Sequence, residues 1–442
     1  MLGRTLGTVL ALAANLAAAP SFSRDIQPIL QKHCQSCHQP ASRTSGLDLT
    51  TYEGFAQGGQ RGAPFLAERP EESLVVRYLT AALQPRMPMG QPPLPESEIA
   101  LVREWIRAGA KNDSPAEASE IRTPVYLQPP VITALRFSPD GADIAVSGNG
   151  EVLIHGVDGR APLRRLMGTA ERILSLAYSA DGKLLIAGGG TPAQFGEIQI
   201  WDAKNGKLLR SMRATSDTVF GASLSPDASK IAVGCTDNSV RVFETASGKE
   251  LYKINNHENW VLATVFGTDS KRLVSVSGDR AAKLIDAASG AFLENVNLLR
   301  GELAAIARHP KKDIVVIGGA ERHPYIYLLD RPRNMKIADD TTLVRKLERQ
   351  DGAIAALDWS PDGTRIAVAG AAPSVNVYDP DTGDKKASCT GHDAGIYAVA
   401  FSPDSTKLAT GGFDGKVRIY STADCTLLYS FVPAPLSAGV SQ

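Results

Sequence analysis

The stretch FSPDSTKLATGGFDGKVRIYS, residues 401–421, carries the pattern that decides the architecture of most of the chain. Phe401 ends an apolar run. Ser402-Pro403-Asp404 is tight-turn chemistry, KLATGG reads as a second strand and VRIYS as a third. The same order of events recurs upstream, at Phe137-Ser-Pro-Asp140, Tyr178-Ser-Ala-Asp181, Leu224-Ser-Pro-Asp227, Phe266-Gly-Thr-Asp269, Arg308-His-Pro-Lys311 and Trp359-Ser-Pro-Asp362. The spacings between first residues are 41, 46, 42, 42, 51 and 42. A further turn, such as Asn205-Gly206, Ser247-Gly248 or Thr382-Gly383, leads to a fourth strand. Four strands per period form a small sheet that can bury its faces only against neighbouring sheets. Seven such copies predict an all-β, seven-bladed propeller over residues 125–431, followed by a tail at 432–442.

Composition agrees with a globular chain. Of 442 residues, 43% are hydrophobic and 21% charged, too apolar for disorder and too mixed for a coiled coil. The 47 basic residues cancel the 47 acidic ones. No net field favours nucleic acid or an anionic membrane surface as a partner. Five cysteines are too few for a disulfide scaffold.

The N-terminus reads differently. Arg4 is the only charge before Arg24, and LGTVLALAANLAAA at 6–19 is followed by Pro20-Ser21. A basic start, a short apolar run and small residues predict a secretory signal peptide over 1–21, with the junction after Ala19-Pro20-Ser21. An uncleaved anchor is the alternative. A full membrane span needs about 20 apolar residues, so no stable span is expected and the mature protein is placed in the periplasm or secreted.

Next comes His33-Cys34-Gln35-Ser36-Cys37-His38. Cys-x-x-Cys-His is the attachment pattern of c-type haem. At positions i, i+3 and i+4, Cys34, Cys37 and His38 share one helical face, so two thiols and one imidazole point at one object. Zinc wants four protein ligands, and no second Cys or His pair lies nearby. A thioredoxin-like dithiol wants a preceding strand, whereas Ile26, Ile29 and Leu30 form a helical stripe. Helices are also expected from Pro70-Glu71-Glu72-Ser73, with Leu74, Val75, Tyr78 and Leu79 apolar, and from Pro95-Glu96-Ser97-Glu98, with Ile99, Val102, Trp105 and Ile106 apolar and Gly109 as the stop. Between them lies Arg86-Met87-Pro88-Met89-Gly90. A thioether from such a loop is a common sixth haem ligand. The alternative is that both methionines only pack.

FSRDIQPILQKHCQSCH, SGLDLTTYEGFAQGG, PEESLVVRYLT, RMPMG and LPESEIALVREWIRAGA resemble, in order, the planctomycete-type cytochrome c domain over residues 22–112. The resemblance implies a small all-α, class I-like fold and one covalently attached haem c. Cys34 and Cys37 would hold the haem covalently, and His38 and Met87 would be its axial ligands. Met89 is the alternative sixth ligand, because the family's Met-Pro-Pro reads Met-Pro-Met here. Residues 113–124, polar with two prolines, read as a short linker. The tract 125–431 resembles the WD-repeat propeller family in degenerate form. Trp201-Asp202 is its one Trp-Asp pair and Gly391-His392 its one junctional Gly-His pair. Asp237, Asp279 and Asp414 fall where that family places blade-bracing aspartates.

Two enlarged spacings mark insertions, at Gly190–Phe195 and at Arg331–Asp340, expected on opposite faces. His155, His257, His309, His323 and His392 are scattered singly and read as surface or bracing residues. Cys235 reads as a buried thiol, and a Cys389–Cys425 bridge is disfavoured. Ring closure is left open between CTLLYSF at 425–431 and the lead-in Val125-Tyr126-Leu127. The functional expectation is one-electron transfer, with the propeller as a platform for a redox partner protein docking there or near the haem edge. No small-molecule substrate is evident. The alternatives are a redox enzyme with substrate or a second cofactor in the propeller channel, and a haem-based gas or redox sensor.

Overall fold

The computed structural model describes residues 19–39, 44–113, 123–159, 162–329 and 339–437. Most of the expected signal peptide, most of the 113–124 linker, most of the second insertion and the end of the C-terminal tail lie outside the described residues. The chain divides into two compact units, Met1–Ser119 and Glu120–Gln442.

In the first unit one wide helical turn, Phe22–Ile26, runs into α1, Gln27–His33. Ser21 Oγ accepts from the Arg24 N–H at 3.1 Å, and the Ser21 N–H donates to Asp25 at 2.7 Å. Two orphan donors of the helix start are thereby engaged. Pro28 sits in the first turn, where its missing N–H leaves no bond unmade. Helix α2, Tyr52–Gln57, begins at Thr51, whose Oγ1 accepts from the Gly54 N–H at 3.0 Å. Sequence periodicity did not single this helix out, since six residues hold less than two apolar repeats. Helix α3, Leu74–Leu79, follows a tight turn at Pro70–Glu72. Helix α4, Glu96–Arg107, starts after Pro95 and stops before Gly109, which adopts φ +98°, a conformation costly for any other residue.

The core of this unit gathers Phe22, Ile26, Ile29, Phe55, Val102, Trp105 and Ile106. Phe55 stacks on Trp105 with ring centroids 6.0 Å apart, and Phe22 packs against Trp105 at 5.5 Å. The buried indole is satisfied by the Lys111 carbonyl at 3.0 Å. Burial of this set supplies most of the unit's driving force. Along α3 the buried residues are Val76 and Leu79. Leu74, Val75 and Tyr78, expected to be core, are only half-buried, for a reason given below.

The second unit is β throughout: one seven-stranded antiparallel sheet and five four-stranded ones, in the arrangement of a WD propeller. The seven-stranded sheet is two repeats run together, because the 15-residue strand Arg164–Tyr178 ends one and begins the next. The first strands of successive repeats, Leu135–Phe137, Arg164–Tyr178, Val219–Leu224, Val261–Phe266, Leu303–Arg308, Ile354–Trp359 and Ile396–Phe401, touch one another in turn. The last of these touches the first. There Ile132, Leu135 and Phe137 share a buried cluster with Ala398, Ala400 and Ile419, and the Ile132 N–H donates to the Gly412 carbonyl at 3.0 Å.

The turns explain the repeated motif. Ser402 Oγ donates to Asp404 at 2.5 Å and accepts from the Lys407 N–H at 2.9 Å. Ser138, Ser179, Ser225 and Ser360 bond the aspartates two residues on in the same way. In the fifth repeat His309 takes the serine's place, its Nδ1 accepting from the Lys311 and Lys312 N–H groups. The insertion at Gly190–Phe195 prolongs a hairpin in register, Gly190 opposite Gly196 and Thr191 opposite Phe195.

Strand order follows chain order in every sheet. Leu427–Phe431 is the fourth strand of the last sheet, and Tyr126 forms a parallel bridge with Leu436 at the other end of the unit. Both closure candidates are therefore in use, one as a sheet strand and one as a strap. His155 bonds the Pro433 carbonyl at 3.0 Å. The Tyr126 hydroxyl donates to Glu151 at 2.7 Å, and Arg165 pairs the same buried carboxylate through two N–H groups.

One expectation is corrected. Cys389 and Cys425 form a disulfide, with Cα atoms 4.7 Å apart. The bridge ties the outer strand Lys385–Cys389 of one sheet to the turn before Leu427–Phe431 in the next. Sequence separation hid this proximity, which only the radial stacking of sheets creates. Cys235 is buried and free, as expected.

Candidate functional site

Helix α1 ends at His33, and the attachment motif continues it by two further turns of hydrogen bonding. Cys34 N–H donates to Leu30 O at 2.9 Å, Cys37 N–H to Cys34 O at 3.2 Å and His38 N–H to Cys34 O at 3.1 Å. The i, i+3, i+4 geometry expected of the motif is thus achieved on turns rather than inside a regular helix. The motif is pinned to the segment beyond it by Leu49 N–H to His38 O at 2.9 Å and Thr44 N–H to Cys37 O at 3.1 Å.

Cys34, Cys37, His38, Met87 and Met89 all line one cavity of about 1320 Å³, counted with its open mouth. The remaining wall is largely apolar: Ile29 and Leu30 from α1, Leu47 and Leu49 from the segment after the motif, Phe55 from α2, Leu74, Val75, Tyr78 and Leu79 from α3, and Leu94 and Val102 beside and on α4. This is why three apolar positions of α3 are half-buried. All three line the cavity, and Val75 also packs against the core.

His38 Nδ1 lies 3.1 Å from the Thr44 carbonyl oxygen. A carbonyl can only accept, so Nδ1 carries the proton and Nε2 keeps its lone pair. Burial pushes the imidazole pKa below its ordinary value, partly countered by the Thr44 bond, so the ring is neutral near pH 7. A neutral, oriented imidazole with one free nitrogen is what iron ligation requires. Burial, with Cys37 and Glu98 adding to it, pushes the Cys34 thiol up to about 11. That thiol stays protonated and is a poor ligand for a bare metal ion. Among the described residues no three His, Cys, Asp or Glu side chains converge as a metal-ligand set.

The two methionines are placed differently. Met87 is half-buried and its N–H donates to Tyr78 O at 3.1 Å, which fixes the loop against α3. Met89 is 69% exposed. Pro88 between them is buried. His33, next to the motif, is held by Glu98 of α4 at 2.9 Å, and Lys32 reaches the same carboxylate at 3.4 Å.

In the second unit, His257 bonds Asp279 through Nδ1 and Ser275 through Nε2, each at 2.8 Å. The trio has the residue types of a hydrolase triad, but its histidine and serine are buried within the sheets and it acts as a brace. His392 repeats the arrangement with Asp414 through Nδ1 and Thr410 through Nε2, and Arg418 donates to the same Asp414 carboxylate. Asp237 accepts from Ser239, Arg241 and Lys253. All three aspartates expected as braces are engaged in that way.

Sequence reasoning missed Thr44, which selects the tautomer of His38. It also missed Arg61 and counted Tyr78 only as an apolar position; both lie on the cavity lip. The glycines flanking Arg61 were the available signal, since they mark a sharp turn.

Comparison with known proteins agrees with this division. Residues 34–89 match the planctomycete cytochrome C family. Residues 206–244, 248–286, 341–379 and 383–421 each match the WD domain, G-beta repeat. The chain therefore joins a planctomycete-type cytochrome c segment to WD repeats. Of the repeats with enlarged spacing, the second and fifth, the matches take in only the fourth strands, Leu208–Thr215 and Leu343–Lys346. The chain is 32% identical over 136 residues to U3 small nucleolar RNA-associated protein 15 of Schizosaccharomyces pombe, covering 29% of this chain and 26% of that protein. It is 27% identical over 202 residues to transcription factor unc-37 of Caenorhabditis elegans, covering 45% and 31%. With COMPASS component SWD3 of Saccharomyces cerevisiae the identity is 29% over 129 residues, covering 28% and 39%. The chain thus spans between about a quarter and two fifths of the length of these relatives.

Proposed function

We propose that the protein is an extracytoplasmic mono-haem c-type cytochrome that carries out one-electron transfer, with a seven-bladed WD propeller as its docking platform. The observation that carries this reading is the convergence of Cys34, Cys37, His38 and Met87 on one apolar cavity. The residues fit a haem c. Cys34 and Cys37 are thiols outside any disulfide, three apart on one turn, placed to form its two thioethers. His38, through Nε2, and Met87, through its thioether, would hold its iron. Bound there, the haem would supply one-electron chemistry at an iron that cycles between two oxidation states. With both of these ligands supplied by the chain, the iron would favour transfer over binding of a gas or an oxidisable substrate. The apolar wall keeps water from the group and favours a raised potential.

Export is supported by two features. The cytochrome c likeness implies attachment of haem outside the cytoplasm, and the Cys389–Cys425 bridge suits an oxidising compartment. No helix among the described residues is long and apolar enough to cross a membrane. The seven-blade count is supported by seven first strands in contiguous succession. A role in binding a partner protein is supported by likeness to a COMPASS component, itself named as part of a larger assembly.

The test is an absorption spectrum and redox titration of protein matured with its haem. A six-coordinate, low-spin spectrum with a single one-electron midpoint is expected. A five-coordinate spectrum that changes on adding carbon monoxide would replace electron transfer by sensing or catalysis.

A further inference from the structure

Haem c carries two carboxylates, and a cavity that holds it must meet that charge. Among the described residues lining this cavity there is no aspartate or glutamate, and Arg61 is the one arginine or lysine of that set. Of the two histidines in the lining, His33 stands with Nε2 2.9 Å from the Glu98 carboxylate, and His38 is bound through Nδ1 to the Thr44 carbonyl. Arg61 stands on the cavity lip at the tip of a tight turn in which Gly59 and Gly62 form a bridge. The turn is dictated by glycine: Gly58 adopts φ +77°, and a Cβ there would meet the Gly62 carbonyl oxygen at 2.5 Å. The tip is also tied down, Gln60 N–H donating to Ser45 O at 2.8 Å.

Arg61 forms no ion pair with any described acidic residue. Its one hydrogen bond runs from Nη1 to the Tyr78 hydroxyl at 2.5 Å, and its guanidinium lies 5.3 Å from the centre of that ring. Of five guanidinium donors, four are uncommitted. Because Arg61 occupies the acceptor side of the phenol oxygen, the Tyr78 O–H proton is free to be donated onward. A planar, permanently charged fork beside a phenol donor is a carboxylate-binding pair. A cation held over an aromatic face, with no carboxylate to neutralise it, also has reason to stay at the cavity and not sweep into water.

We propose that Arg61 and Tyr78 form the carboxylate subsite of this cavity and hold a haem propionate. The proposal rests on the haem reading above and adds to it a positioning and potential-setting role. A positive charge there favours the iron state that has one electron more, so the pair raises the midpoint potential.

The experiment uses full-length protein matured with haem, as wild type and as Arg61→Gln, Arg61→Lys and Tyr78→Phe. Denaturing-gel haem stain reports attachment, resonance Raman reports the propionate-bending band, and a titration reports the midpoint. All four proteins are expected to stain. Arg61→Gln should shift the propionate band and lower the midpoint, Tyr78→Phe should shift the band with a smaller change in midpoint, and Arg61→Lys should keep most of the midpoint. If the stained Arg61→Gln protein has the wild-type band, the subsite is overturned while the haem reading stands. Should Arg61→Gln fail to mature, an unchanged band in Tyr78→Phe overturns the subsite equally. Absence of stain in the wild type would instead overturn the haem reading itself.

Discussion

Thr44 holds His38 by its backbone carbonyl, 3.1 Å from Nδ1, and through that one contact decides which imidazole nitrogen faces the cavity. The contact is made by backbone, so no side-chain substitution at Thr44 removes it. Only a change in the path of the chain after the motif would. The ligand role proposed for His38 therefore depends on the loop that follows as much as on the motif.

Replacing both Cys34 and Cys37 with Ala should abolish covalent haem, read as loss of the haem stain on a denaturing gel. His38→Ala should leave part of the stain and remove the low-spin spectrum. A stained double mutant would contradict the assignment of these thiols.

Met87→Ala should eliminate the long-wavelength iron–sulfur charge-transfer band of the oxidised protein, and Met89→Ala should leave it. The asymmetry follows from burial: Met87 is half-buried on a loop bonded to α3, whereas Met89 is 69% exposed. The reverse result would move the sixth ligand to Met89. A band that survives the double substitution would remove methionine from the iron altogether.

Reduction of Cys389–Cys425, or Cys389→Ser with Cys425→Ser, should lower stability by up to about 4 kcal/mol, the chain-entropy value for a loop closed across a separation of 36 residues. Denaturant midpoints of the protein with and without a reductant measure it. Equal midpoints would mean that the bridge does not form in the protein.

Asp237 gives a pH dependence with a definite sign. Burial alone would push its carboxyl up, but bonds from Ser239, Arg241 and Lys253 outweigh burial and hold it down to about 2. Its folded pKa lies below the unfolded value of about 4. The stability it contributes is fully present above the unfolded value and is lost as pH falls towards about 2. Asp237→Asn should cost about 2 kcal/mol at neutral pH and flatten the stability profile between about pH 4 and 2. A parallel loss at every pH would exclude a role for its charge.

What the sequence made legible was whatever is local. The Ser-Pro-Asp turn closes on itself within five residues, as Ser402, Asp404 and Lys407 do, so its meaning is complete in one dimension. Cys34, Cys37 and His38 are likewise neighbours before they are a site. The cavity facing of Leu74, Val75 and Tyr78 was not legible, because apolar spacing marks a buried stripe without saying whether protein or a prosthetic group covers it. Nor was the Cys389–Cys425 bridge, nor the Arg61–Tyr78 contact across 17 residues. Each depends on which segments the fold sets side by side.

Every sheet of the second unit is built from consecutive strands, and none borrows a strand from the far end of the chain. That arrangement has a kinetic consequence. Each sheet can form from locally available sequence as the chain emerges, so contact formation up to the last repeat is short in range. The seam is different: its contacts, such as His155 with Pro433, join residues 278 apart. They can be made only when the final residues have arrived, and closing so long a loop carries the largest entropic cost in the unit. Until that moment the first and last sheets each expose an apolar face. While it folds, the unit passes through an open-ring state whose two sticky ends lie at its first and last sheets, and whose lifetime is set by the last few residues of the seam to arrive.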